Sequence, residues 1–142
     1  MKIEDLTLDV EQHIEIKAPP EKVFPAMLHT LGKGNTRPDG QSLQLELEPR
    51  AGGRWYRDRG NGIGHLWGFV QVIKAPELLE LSGPMFMSYP AVNHVEVKVE
   101  KTAGGSKVTL RHRALGMIDP GHRQGVSTGW NHMLAQIKKA SE

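Results

Sequence analysis

The chain contains no cysteine, which removes disulfides, thiolate metal sites and cysteine nucleophiles at once and suits a reducing compartment. It carries almost no surplus charge. Eighteen Lys and Arg face 16 Asp and Glu, and no basic block concentrates the excess of +2, so the pattern of a nucleic-acid-binding surface is missing. No apolar run approaches the ~18 residues of a membrane span, and the opening Met1-Lys2-Ile3-Glu4-Asp5 lacks the apolar core of a leader. The expectation is a cytoplasmic protein with no membrane partner. Catalytic signatures are absent too: there is no His-Glu-x-x-His pair, no Gly-x-Ser-x-Gly elbow and no phosphate loop. Gly52-Gly53 and the run Gly60 to Gly64 lie between strands with no helix following, and read as turns. No cofactor and no metal site is implied.

What is present has the balance of a globular chain, 38% hydrophobic and 24% charged. At 142 residues it predicts one domain, 1–142. Its last stretch is the clearest element. Asp119 and Pro120 form a helix start, and Val126, Trp130, Met133, Leu134 and Ile137 then mark one helical face to about Ala140. Arg123, Gln124, Ser127, Asn131 and Gln136 are expected to face away.

The rest reads mostly as strand. Residues 8–17 alternate, with Leu8, Val10, Ile14 and Ile16 on one side. Strands follow over 43–48, 54–58, 63–74, 78–82, 92–101 and 107–115. Between the first two lies a helix carrying Val23, Phe24, Met27, Leu28 and Leu31, which Pro25 is expected to kink or split. Residues 32–41 are a Gly- and Asn-rich loop, and 83–90 form an apolar loop bounded by prolines. Antiparallel strands with segregated helices predict an α+β fold: a curved sheet of about seven strands wrapped around a long C-terminal helix, with short helices after the first strand.

Several segments in this order resemble the SRPBCC (START/Bet v 1-like) superfamily, in the branch named after the activator of Hsp90 ATPase. They are Ile14 to Phe24, the Glu48 to Arg54 turn, Gly68 to Val72 with Ala75 to Leu79, Gly105 to His112, and Gly129-Trp130. The resemblance implies a helix-grip fold with a cavity between sheet and helix. It also implies kinship with aromatase/cyclase-type enzymes and with a chaperone cofactor. The tryptophan-containing segment frequent after the first helices of the family is replaced by 31–41, which has none.

Within such a fold the candidate ligand-binding residues are large or adaptable apolar groups: Phe24, Met27, Leu28, Trp67, Phe69, Met85, Phe86, Trp130 and Met133. Polar anchors would come from Arg54, Tyr56, His65 and His112. His112 shares a face with Val108 and Leu110; it is either a cavity acid–base group or a hydrogen-bonded core histidine. The function this predicts is binding of a small hydrophobic or amphipathic molecule. The alternatives are an enzyme using a cavity histidine and an interaction module, including a homodimer formed through the 83–90 loop.

Overall fold

Two-residue alternation of apolar and polar side chains builds most of the molecule. The computed structural model describes residues 2–142. Its elements are α1 (Ile3–Leu6), β1 (Thr7–Ile16), α2 (Pro20–Leu31), β2 (Leu45–Leu47), β3 (Arg54–Gly60), β4 (Ile63–Lys74), β5 (Leu78–Gly83), β6 (Ala91–Thr102), β7 (Gly105–Gly116) and α3 (Pro120–Ser141). The strands form one antiparallel sheet in the order β1-β7-β6-β5-β4-β3-β2, so all connections but one join spatial neighbours. With α3 across it, this is the expected α+β helix-grip arrangement.

At ~1.5 Å per residue α3 is about 33 Å long. The Asp119 carboxylate caps it by accepting from the backbone N–H groups of Gly121 (2.8 Å) and His122 (3.2 Å). Val126, Trp130, Met133, Leu134 and Ile137 are buried, as the stripe predicted. The helix packs against α2 and β1. Arg123, expected to face away, donates to the carbonyls of Thr7 and Asp5 (2.7 and 3.1 Å), and Gln12 donates to the carbonyl of Ser127 (2.8 Å). Those contacts hold α3 to one side of the sheet. On the other side, beneath β3 and β4, a gap remains.

Three local expectations change. The α2 helix runs unbroken through Pro25, because that residue lies on the solvent side while Val23, Phe24, Met27 and Leu31 anchor the opposite face. The hydrogen bond lost to proline belongs to the carbonyl of the exposed Glu21, which water can serve. Strand β2 is shorter than its alternating leucines suggest: Gln44 takes φ +56°, and Leu43 instead bonds its N–H to the carbonyl of Asn35. The α1 turn has no apolar period to announce it and is held by Lys2 and Asp5 and by the Thr7 hydroxyl on the carbonyl of Ile3.

One irregularity positions the site. Trp55 and Tyr56 of β3 pair with Gly68 and Leu66 of β4, so Trp67 is an extra residue, a β-bulge. Beyond it the inward side chain is Val70 and the outward one is Phe69. Gly68 is required there. A Cβ at this position would lie 2.5 Å from the carbonyl oxygen of Ser82 on β5.

Candidate functional site

The gap between α3 and the β3–β4 half of the sheet is a cavity of about 330 Å³. Its sheet wall is aromatic: Trp55, Trp67 and, from the 83–90 loop, Phe86. Trp55 and Trp67 meet edge to face at 5.0 Å, as do Trp67 and Phe86 at 5.8 Å. The helix wall consists of Val126, Trp130 and Met133, with Gly121, Gly125 and Gly129 between them. Asn35 to Pro38 and Leu43 close the remaining side. The loop is tied to α3: His132 Nε2 donates to the carbonyl of Thr36 (3.0 Å), the Gln136 amide bonds the Thr36 hydroxyl, and the Asn35 amide lies 3.8 Å from Met133 Sδ. Gln136 therefore turns inward.

Polar groups are few. His122 reaches the cavity from the first turn of α3; its Nδ1 is 2.9 Å from the Tyr89 hydroxyl, and its ring stands edge-on to Phe86 at 5.3 Å. Of the three indole N–H groups, Trp55 donates to the carbonyl of Leu31 (2.8 Å) and Trp130 to His112 Nδ1 (3.0 Å). The buried N–H of Trp67 has no acceptor among the described residues.

His112 is fully buried behind the cavity rather than in its lining. Because an indole only donates, its Nδ1 must accept, and the ring proton sits on Nε2, which donates to Asn93 Oδ1 at 2.6 Å. The Asn93 amide passes the chain on to the carbonyls of Gly83 and Pro84 (3.1 and 3.2 Å). Burial lowers the imidazole pKa from 6.5 to about 4, so the ring is neutral at neutral pH. Both nitrogens are occupied. The side chain is the hydrogen-bonded core histidine of the two alternatives, and it links α3, β7, β6 and the 83–90 loop.

The structure brings Trp67, Phe86, Trp130 and Met133 of the expected set together around the cavity. Phe24, Met27 and Met85 are buried elsewhere in the core, and Leu28 packs half-buried against it. Arg54 and Tyr56, expected as cavity anchors, lie on the outer face. There Arg54 stacks 4.5 Å over the Tyr56 ring and pairs with Glu48 at 3.0 Å, which holds that carboxyl at about 2. Alternation separated Arg54 and Tyr56 from Trp55 correctly, but the inward member is Trp55. Phe69 is displaced outward by the bulge at Trp67 and is 43% exposed. His65 is half-buried next to Trp67 (6.3 Å between rings), outside the cavity lining. Met85 and Met87 of the 83–90 loop turn into the core.

Sequence reasoning missed Trp55, Asn35, Thr36, His122 and His132. The signal available for the histidines was their position on the helical face flanking Val126 and Met133; the loop residues left none. Among the described residues no group of three or more His, Asp or Glu side chains is placed to hold a metal ion, and no helix is long and apolar enough to cross a membrane.

An antiparallel sheet gripping a long C-terminal helix, with an apolar cavity between them, defines a helix-grip domain of the SRPBCC class. The chain belongs to the Activator of Hsp90 ATPase homolog 1-like protein family, whose profile matches residues 17–142. No curated protein matches the sequence. A solved protein of Chromobacterium violaceum is 18% identical with a TM-score of 0.75, over 94% of this chain and 96% of that one. The AHSA1-like protein of Aeromonas hydrophila is 17% identical with a TM-score of 0.66, over 94% and 91%. The di-domain aromatase/cyclase StfQ of the steffimycin biosynthetic pathway is 14% identical with a TM-score of 0.69; 98% of this chain aligns with 52% of that protein. At these identities the likeness is one of fold.

Proposed function

We propose that this protein binds a small hydrophobic or amphipathic molecule between the sheet and α3. The observation that carries this is the 330 Å³ cavity walled by Trp55, Trp67, Phe86 and Trp130, with polar groups confined to a few positions such as His122 and His132. Apolar walls with sparse, placed polar groups are the usual composition of ligand pockets, and such a volume suits a molecule of drug-like size. Native mass spectrometry of the purified protein, followed by extraction, tests it. A reproducible extra mass is expected. A bare mass together with no thermal shift across a lipophilic library overturns the reading.

A second reading, a cyclase-like enzyme, draws support from His122. It lines the cavity, holds the Tyr89 hydroxyl on Nδ1, and has no partner for Nε2 among the described residues. General acid–base chemistry is available there, not at His112. Following an extracted ligand by mass spectrometry with wild-type protein and with His122→Gln decides it; a ligand unchanged by the wild type removes the enzyme.

A further inference from the structure

The polar groups of the cavity stand at its two ends. His122 lines it from the first turn of α3, while Asn35 and His132 line it beside Met133. Met133 follows His122 by 11 positions, a rise of roughly 16 Å along the helix axis. Between the two ends the walls are Trp55, Trp67, Phe86 and Trp130.

At the far end the amide of Asn35 is underused. The residue is 2% exposed, and burying an amide costs free energy unless its lost hydrogen bonds are replaced. Its Nδ2 meets only the Met133 sulfur, a weak acceptor, at 3.8 Å, and its Oδ1 has no partner among the described residues. Unlike the indole nitrogen of Trp67, that oxygen is not sealed away, and the residue lines the cavity. The loop does not need this side chain for its shape, because the backbone N–H and carbonyl of Asn35 make the bonds to Gly32 and Leu43. His132 uses Nε2 on the carbonyl of Thr36, which leaves Nδ1 as a second acceptor nearby. Arg37 lines the cavity too, but Asp39 and Gln41 already hold its guanidinium.

The His122 end has the opposite sense. The Tyr89 hydroxyl has no other partner among the described residues, so it donates to Nδ1 (2.9 Å) and the ring proton stands on Nε2, a free donor. The Asp119 carboxylate that caps α3 lies 3.2 Å from the His122 backbone nitrogen. A charged acid brought to this end would meet that like charge, so an uncharged carbonyl suits it better.

We infer that the cavity takes an elongated, uncharged molecule with an oxygen function at each end: a hydroxyl that donates to Asn35 Oδ1, and a carbonyl that accepts from His122 Nε2. This rests on the ligand-binding reading above and narrows it. In a purely apolar cavity each oxygen added to a ligand weakens binding, because the oxygen leaves water and gains no bond. Placed acceptors and donors at the two ends reverse that sign.

The test uses the purified full chain and three probes. Methyl 12-hydroxydodecanoate carries both functions at the ends of its chain, methyl dodecanoate lacks the hydroxyl, and 1-dodecanol lacks the carbonyl. Calorimetry measures each with wild type, Asn35→Leu and His122→Phe. The wild type is expected to bind the two-ended probe at least about tenfold more tightly than either one-ended probe, the factor that one well-made hydrogen bond supplies. Asn35→Leu should abolish the advantage over methyl dodecanoate and keep the advantage over 1-dodecanol; His122→Phe should do the reverse. Each comparison is a ratio within one variant, so a general loss of stability cancels from it. If Asn35 merely holds a water, the wild type binds methyl dodecanoate as tightly as its hydroxylated form. That result overturns the inference and leaves the cavity reading intact. Advantages that persist unchanged in both variants overturn the assignment to these residues. Failure of every probe to bind also overturns the inference, and the cavity reading is then decided separately by the extracted mass and the lipophilic library.

Discussion

The indole Nε1–H of Trp130 on α3 donates to Nδ1 of His112 on β7 at 3.0 Å, and this bond sets the tautomer of a fully buried imidazole. It couples the helix behind the cavity to the strand beneath it. Trp130→Phe keeps most of the packing and removes the donor, leaving Nδ1 buried and unpaired. The expected loss is about 1–3 kcal/mol, measured by urea denaturation. A double-mutant cycle with His112→Phe should give a clear coupling energy; additive losses would show that the bond contributes nothing of its own.

The same imidazole predicts an acid-sensitive fold. Its folded pKa, about 4, lies below the unfolded value of 6.5. Between those limits the unfolded chain binds a proton that the folded chain does not, so stability falls as pH drops from 6.5 towards 4 and levels off below. The slope from this group is at most about 1.4 kcal/mol per pH unit. Protonation would also set N–H of His112 against N–H of Trp130. Denaturation at pH 7, 6 and 5 stays above the range where Asp9, Glu48 and Glu142, whose pKa values are lowered by their cationic partners, add their own losses. His112→Gln should flatten the curve. A slope retained in that variant would assign the effect to another group.

Gly68 sits where β4 and β5 approach too closely for a side chain, its missing Cβ facing the Ser82 carbonyl at 2.5 Å. Backbone cannot yield as a flexible side chain would. Gly68→Ala should therefore destabilise by about 1–3 kcal/mol and disturb the bulge that aims Trp67 inward. A thermal melt with no shift would show that the bulge relaxes freely.

Phe69 and Phe86 make a paired test of the cavity assignment. Phe69, 43% exposed on the outer face, tolerates serine: stability should stay within about 0.5 kcal/mol and binding of a ligand identified by extraction or from the lipophilic library should be unchanged. Phe86→Leu removes an aromatic edge from the wall and should weaken binding of that ligand about tenfold. Calorimetry on both variants checks it; the reverse ranking would move the site to the outer face.

Periodicity carried most of the fold. The sheet, its hairpins, α2 and α3 all follow from which side chains must leave water, because burial at a period of two or near 3.6 admits few arrangements. The stripe from Val126 to Ile137 and the inward set Val95, Val97, Val99, Val108 and Leu110 were legible from this alone. The outer placement of Arg54, Tyr56 and Phe69 was not. Alternation says which residues share a face but not which face is inner, and the bulge at Trp67, in the pairing of β4 with β3, shifts the phase of β4. Only the tertiary structure decided where the cavity lies, because α3 leans on β1 and α2 and leaves β3 and β4 uncovered. That lean also decided that His112 is sealed behind Trp130 while His122 and His132, unremarkable in sequence, reach the cavity. The reason is physical: local pattern fixes what must be buried, and the space left after burial depends on how whole elements settle against one another.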